Sequence, residues 1–261
     1  MATAFKVKVS GRSGLRWRLL PLAKRAFDLL GRRWNDFYAW MLDRQERRNS
    51  IDNILRRTRH VEGKDKGLYD VSRGPVHLDY MKAQGLKPHH RLLDFGCGYG
   101  RTAVHLLPYL EPGNYIGVDL SRERIRICDE YIAKLGLTDR KATFRASKDN
   151  RLGNLADGSI DVIWCHSVIT HMPLPEIGEL VAGARRVLAT GGQFLFTYAA
   201  ADEYRCDDLK DFYYPPRLIE ELAARHGFDM AVLEDWEQEL SPEHRHDYIR
   251  MVRLTPAKES G

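Results

Sequence analysis

No Cys-x-x-Cys pair occurs anywhere in the chain, and Cys97, Cys128, Cys165 and Cys206 stand 31, 37 and 41 residues apart. That spacing excludes a zinc ribbon and a disulfide framework and implies separate reduced thiols. His244 and His246, like the neighbouring Asp207 and Asp208, lack a third partner at ligand spacing, so no metal site is expected. No stretch approaches the roughly 18 apolar residues of a membrane-spanning helix. The opening MATAFKVKVSGRSG lacks the continuous apolar core of a secretory leader, which implies a cytoplasmic protein, at most peripheral at the inner membrane surface. Glycine (21) and proline (11) are too few for a collagen-like or linker-dominated chain, and neither an internal repeat nor a low-complexity tract is visible.

What the 261 residues do contain is 43% hydrophobic and 30% charged side chains, enough to bury a sizeable core. Charge is uneven. Residues 1–66 carry 17 Lys/Arg against 7 Asp/Glu, a net of +10, whereas 67–261 carry 24 against 29, a net of −5. A basic segment of this strength attracts the phosphates of lipid or nucleic acid. Behind Pro21, Leu22, Ala26, Phe27, Leu30, Trp34, Phe37, Tyr38, Met41 and Leu42 recur at helical steps, with Lys24, Arg25, Asp28, Arg32, Arg33 and Asp36 on the other side. Gly31 is where this helix is expected to break. Three roles are open to it: a lid over the main domain, a contact with an anionic membrane through residues 15–48, or a dimer contact or nucleic-acid arm. The glycine-rich, charged stretch 61–74 places a boundary near residue 66, giving an extension (1–66) and a main domain (67–261).

In the main domain a helix is expected from Pro75 to about Gln84, and then strands and helices alternate. Strand-like RLLDF (91–95), NYIGVD (114–119), ATFRA (142–146), IDVIWC (160–165) and QFLFTY (193–198) are separated by helical patterns near 100–110, 121–136 and 174–188. Ser121 is the N-cap of the second of these helices and Gly136 ends it. Gly191–Gly192 reads as a turn. A helix over 215–227 precedes two last strands, FDMAVLEDW and DYIRMVRL, which have no helix between them and can pair as an antiparallel hairpin at a sheet edge. The pattern predicts an α/β fold: a doubly wound, mostly parallel seven-stranded sheet with an antiparallel C-terminal edge.

The most informative segment is LLDFGCGYGR (92–101), a strand running through a glycine loop into a helix. Such a loop lies in the ligand crevice at the carboxyl end of a doubly wound sheet. A dinucleotide fingerprint starting at Gly96 would need glycine where Arg101 stands, and the Gly-Lys-Ser/Thr ending of a phosphate loop is absent. The D-x-G-x-G-x-G that is present resembles the first motif of the class I S-adenosylmethionine-dependent methyltransferases. GVDLS (117–121), SIDVIWCHSVITHM (159–172) and RRVLATGGQFLFTY (185–198) resemble, in order, that family's second-strand acid, its fourth strand and the segment following, and its helix-turn-fifth strand. The family usually has proline where this chain has Thr190.

The resemblance implies S-adenosyl-L-methionine as cofactor. Asp94 would order water or accept from the ligand amino group, or else cap the loop; the backbone of Gly96, Cys97, Gly98 and Gly100 would lie along the methionine part. Asp119 would hold the ribose hydroxyls, unless it only caps the following helix, and Leu120 would flank the adenine. Where the family commonly has an acid near the adenine amino group, this chain offers Ser147 or Asp149. Methyl transfer asks the protein for alignment and removal of the acceptor's proton. His166 and His171, just past the fourth strand, are the candidate catalytic groups, with Tyr198 a further one. The implied activity is methyl transfer to oxygen or nitrogen of a small-molecule, lipid-linked or sugar acceptor. An RNA methyltransferase and a non-catalytic cofactor-binding module are the alternatives. Residues 199–214, with five acids, are a candidate acceptor-side loop.

Overall fold

The computed structural model describes residues 7–8, 22, 24–26, 28–29, 31, 33–59, 74–239 and 248–258. The boundary expected near residue 66 and the His244–His246 pair lie outside them. In chain order the strands are β1 (Val7–Lys8), β2 (Leu92–Phe95), β3 (Tyr115–Asp119), β4 (Thr143–Ala146), β5 (Ile160–Cys165), β6 (Leu188–Ala199), β7 (Arg205–Asp207), β8 (Asp211–Tyr213), β9 (Phe228–Val232) and β10 (Ile249–Pro256). The helices are α1 (Trp34–Glu46), α2 (Ile51–Arg59), α3 (Gly74–Ala83), α4 (Ala103–Tyr109), α5 (Arg122–Lys134), α6 (Leu174–Val187) and α7 (Pro216–Arg225).

Seven strands make one sheet in the order β4-β3-β2-β5-β6-β10-β9. All neighbours from β4 to β6 pair in parallel, while β10 runs antiparallel to both β6 and β9, so the expected C-terminal hairpin forms one edge. From β2 the chain winds outward through β3 and β4, then returns to the other side of β2 with β5. That reversal opens a crevice beyond the carboxyl ends of β2 and β5.

Alternation along the strands divides the core. Leu93, Phe95, Ile163, Cys165, Phe194 and Phe196 pack with Ile177, Leu180 and Val181 of α6 and with Ile219 and Leu222 of α7. Leu92, Val162, Trp164 and Leu195 pack on the other face with Met81 of α3, Leu106 of α4 and Ile127 of α5. At α5 the Ser121 Oγ accepts from the Arg124 N–H at 3.1 Å, and Gly136 follows the helix with φ +68°. Gly191–Gly192 lie inside β6 rather than before it. Pairing jumps from Leu188↔Ile160 to Gln193↔Val162, so the expected turn is absorbed as an irregularity in a continuous strand.

The N-terminal region contributes to this core. Phe37, Ala39, Met41 and Leu42 of α1 are buried, and Ile51 and Ile54 of α2 join the second cluster. A buried large apolar side chain contributes roughly 1.5–3 kcal/mol. The expected break is at Gly31, which has φ +63°, and positions 22, 24–26 and 28–29 before it are helical. The apolar stripe changes character there, because Leu22 and Ala26 are exposed. The acid-rich segment 199–214 forms the β7–β8 hairpin, on which β1 adds in parallel to make a second, three-stranded sheet. Among the described residues, no helix is long and apolar enough to cross a membrane. None of these residues form a cluster of three or more His, Cys, Asp or Glu side chains suited to a metal.

Candidate active site

β2 delivers the chain into a tight loop whose first two amides, of Gly96 and Cys97, both donate to the Val118 carbonyl of β3, at 2.6 and 3.1 Å. Gly96 has φ +86°, and a Cβ there would sit 2.1 Å from Val168 Cγ2, so only glycine fits. Gly100 has φ +80° and lies against the Cys128 thiol of α5. Cys97 is itself buried next to that thiol, and its own thiol is pushed up chiefly by the hydrogen bond with Cys128 and by burial.

The loop is tied to the end of β3 by Asp119. One carboxylate oxygen accepts the Gly98 N–H at 3.0 Å and the other the Ser121 N–H at 2.8 Å. A carboxylate has about four acceptor positions, so each oxygen keeps room for one more donor, a match for the paired hydroxyls of a ribose. Burial raises the Asp119 carboxyl, and the Arg124 charge with the two amides pulls it back.

Phe95, Gly96, Val118, Asp119, Leu120, Ser147, Ser167, Val168, His171 and Met172 line one cleft beyond the carboxyl ends of β2, β3 and β5. Gly96, Asp119, Leu120, Ser147 and His171 thus come together as the sequence suggested. Asp94, Cys97, Gly98 and Gly100 stand behind the lining and shape it. Asp149 instead caps its own loop, accepting the Arg151 and Gly153 amides.

The remaining lining residues come from α1: Asn35, Tyr38 and Leu42, at positions i, i+3 and i+7 on one helix face, of which Tyr38 and Leu42 belong to the apolar stripe for which a lid was one of the open roles. Three tethers seat this helix. Asn35 donates to the Lys148 carbonyl and to Asn150 Oδ1, Trp34 Nε1 donates to the His171 carbonyl at 3.1 Å, and Asp43 accepts from Ser121 Oγ at 2.6 Å. At its start Arg33 pairs with Glu176 and Glu179 of α6. Asn35 itself carried no sequence signal.

The two histidines go separate ways. Strand alternation sends His166 to the same side as Trp164, and its ring stacks on Trp164 (5.9 Å, 7°) beside His77 (4.3 Å) and Trp236 (5.3 Å). It is not among the residues lining the cleft. His171 ends a single 3₁₀ turn, Ile169–His171, and does line it. Its Nδ1 lies 2.9 Å from the Lys210 carbonyl and 3.2 Å from the Asp211 carboxylate, both on the β7–β8 hairpin. Both partners only accept, so Nδ1 carries hydrogen and, in the neutral ring, Nε2 carries the lone pair. Burial alone would raise the Asp211 carboxyl, but hydrogen bonds from His171 and Lys210 hold it below the usual carboxylate range. Tyr38 of α1 packs over the His171 ring at 5.7 Å. Ser167, at φ +58°, donates its N–H to Thr197 Oγ1 at 2.8 Å and sits at the tip of β5, a strained position of the kind that gathers at functional sites. Tyr198 is fully buried, away from the cleft lining.

Asp94, buried at the end of β2, accepts from Tyr115 Oη at 2.6 Å. Burial pushes its carboxyl up to about 7, against the opposing pull of Tyr115 and Arg101. The unfolded chain ionises this group near pH 3.9, so in the absence of ligand its burial costs stability that grows as pH rises from about 4 to 7 and then levels off. At about 1.36 kcal/mol per unit the ceiling is roughly 4 kcal/mol. Asp94→Asn, which keeps an acceptor for Tyr115, should therefore gain stability relative to the parent between about pH 5 and pH 8 in urea unfolding. A constant difference across that range would show that the carboxyl is already ionised in the fold.

Residues 92–192 match the family model described as "Methyltransferase domain". An arsenite methyltransferase of Aquipseudomonas alcaligenes is 30% identical over 161 residues, 56% of this chain and 46% of that protein. A ubiquinone biosynthesis O-methyltransferase of Nitrosococcus oceani is 26% identical over 147 residues, 56% of this chain and 58% of that one. The match spans about half the length of these curated relatives. Among solved structures, Haemonchus contortus phosphoethanolamine N-methyltransferase 2 in complex with S-adenosyl-L-methionine shares the fold with a TM-score of 0.62 at 18% identity, covering 87% of this chain and 60% of that one. The strand order, the glycine loop closed by Asp119 and these matches agree: residues 92–192 match a methyltransferase domain, and the chain has the fold of, and is similar to, the class I S-adenosylmethionine-dependent methyltransferases.

Proposed function

We propose that this chain moves the methyl group of S-adenosylmethionine to an oxygen or nitrogen that must lose a proton, on a small-molecule, lipid-linked or sugar acceptor. The observation that carries this reading is His171, held on the cleft wall with Nδ1–H committed to Lys210 and Asp211 and Nε2 left as the base. Asp119 holds the ribose diol, Gly96 lets the backbone approach the ligand, and Leu120 and Ser147 bound the adenine end. Asn35, Tyr38 and Leu42 of α1 close the cleft against water. When bound, the sulfonium supplies an electrophilic methyl carbon whose bond electrons leave with sulfur. His171 Nε2 takes the acceptor's O–H or N–H proton, and the freed lone pair forms the new bond to carbon. Both an O-methyltransferase and an arsenite methyltransferase occur among the relatives, which supports methyl transfer and leaves the acceptor to experiment.

The test is calorimetric titration with S-adenosylmethionine and its demethylated product, then transfer of labelled methyl across hydroxyl and amine acceptors. Asp119→Ala should weaken cofactor binding by about 1–3 kcal/mol, roughly 5- to 150-fold, because two hydrogen bonds to a charged group are lost. A protein that ignores this cofactor but binds a pyridine dinucleotide would overturn the reading.

A further inference from the structure

Helix α1 has two working faces. At about 100° per residue, Trp40, Arg44 and Arg47 fall on the side opposite Asn35, Tyr38 and Leu42. These three, with Arg48, Arg122 and Lys148, line a broad groove that meets the cofactor cleft at Leu120 and Ser147, residues common to both. Five cationic side chains face two acids there. The acids are engaged: Asp36 pairs with Lys148, and Asp43 accepts from Ser121 Oγ and the Glu123 N–H. Among the described residues, Arg44, Arg47, Arg48 and Arg122 have no ion-pair partner, and Arg44 lies over the Trp40 ring at 5.7 Å. Trp40 on this groove is 37% exposed, and the helical positions before the Gly31 break hold the two most exposed large apolar side chains described, Leu29 at 82% and Leu22 at 63%.

From this juxtaposition we propose that the outer face of the cleft-closing helix docks on an anionic lipid bilayer. Unpaired arginines suit any polyanion, but exposed leucines seven residues apart gain nothing from a phosphate backbone. They gain from insertion at the headgroup–acyl boundary, where tryptophan also settles. Lipid is therefore the occupant that uses both the arginines and the leucines. Docking there would set the cofactor cleft at the bilayer, where an acceptor with a lipid tail could enter.

The test is co-sedimentation of the full chain with vesicles of phosphatidylcholine alone and of phosphatidylcholine mixed with phosphatidylglycerol. Binding is expected to the mixed vesicles only and should weaken as salt rises. Arg44→Glu/Arg47→Glu/Arg48→Glu should lower the partition about a hundredfold, from roughly fivefold per basic residue at an anionic surface. Leu29→Asn, with every charge intact, should lower it severalfold, which a nucleic-acid surface would not show. Thermal melting and cofactor titration of both variants check that the fold is retained. Failure of the parent chain to bind anionic vesicles overturns the proposal. So does binding to single-stranded RNA, without vesicle binding, that Leu29→Asn leaves unchanged. Neither result bears on whether the cleft binds S-adenosylmethionine, which the titration reports separately.

Discussion

Replacing His171 with alanine is expected to reduce turnover by 10²–10⁴-fold, the range for loss of a positioned general base, with a much smaller change in cofactor affinity. The reason lies in the environment of Nδ1. Its distances of 2.9 Å to the Lys210 carbonyl and 3.2 Å to Asp211 fix one tautomer and orient the ring. The same contacts also tie the β7–β8 hairpin to the cleft, so alanine alone would confuse a chemical role with a structural one. Asparagine separates them. His171→Asn keeps an N–H that can donate to Lys210 but has no basic nitrogen, so it should restore hairpin stability and leave turnover low. Recovery of turnover in the asparagine variant would mean that His171 is only a tether. Asp211→Asn should cost less, roughly tenfold. The Lys210 carbonyl still holds the tautomer, and what disappears is the extra strength of a charge-assisted hydrogen bond over a neutral one. Single-turnover kinetics alongside cofactor titration distinguish these outcomes.

How far the sequence announced this site depends on whether its parts are local. The D-x-G-x-G-x-G loop, Asp119 at a strand end and the Ser121 cap each show in a short local pattern and were legible, although the Gly98–Asp119 bond joining loop to strand spans 21 residues. The sheet followed from strands alternating with helices, since parallel strands require crossovers. Other features depend on contacts over long sequence separations. Asn35 reaches Lys148 and Asn150, 113 and 115 residues on, and no periodicity in α1 identifies a residue that bonds so far away. The feature that distinguishes His171 from His166 is partly a backbone carbonyl, Lys210, which any residue type could supply. His166 looked the nearer candidate from its place after β5, yet alternation turns it into the aromatic cluster. One residue further, Ser167 at positive φ bends the chain so that Val168 and His171 reach the cleft. The glycine pair of β6 misled differently: the turn-like dipeptide falls in the unpaired stretch between Leu188↔Ile160 and Gln193↔Val162, an irregularity inside one strand.

Gly96→Ala should be among the most damaging single methyl additions to the molecule. The added Cβ would lie 2.1 Å from Val168 Cγ2, while the residue must also hold φ +86°. Overpacking of this kind costs about 1–3 kcal/mol, and a non-glycine residue in the left-handed region costs roughly 1–2 kcal/mol more. Together these make about 2–5 kcal/mol, a large part of the 5–15 kcal/mol typical of a whole domain. The two contributions can be separated because only one depends on Val168. In Gly96→Ala/Val168→Ala the Cγ2 methyl is gone and the next atom of that side chain, Cβ, lies 3.3 Å away, close but tolerable. The double variant should therefore recover the steric part, measured against Val168→Ala, and retain the conformational part. That predicts a favourable coupling of about 1–3 kcal/mol in a double-mutant cycle of urea unfolding. Cofactor affinity should follow a different course. The backbone of residue 96 borders the cleft, so a methyl group there would still crowd the ligand in the double variant, and binding should stay weak after stability has returned. Additive stability losses would place Val168 elsewhere, whereas joint recovery of stability and affinity would mean that the ligand does not approach Gly96.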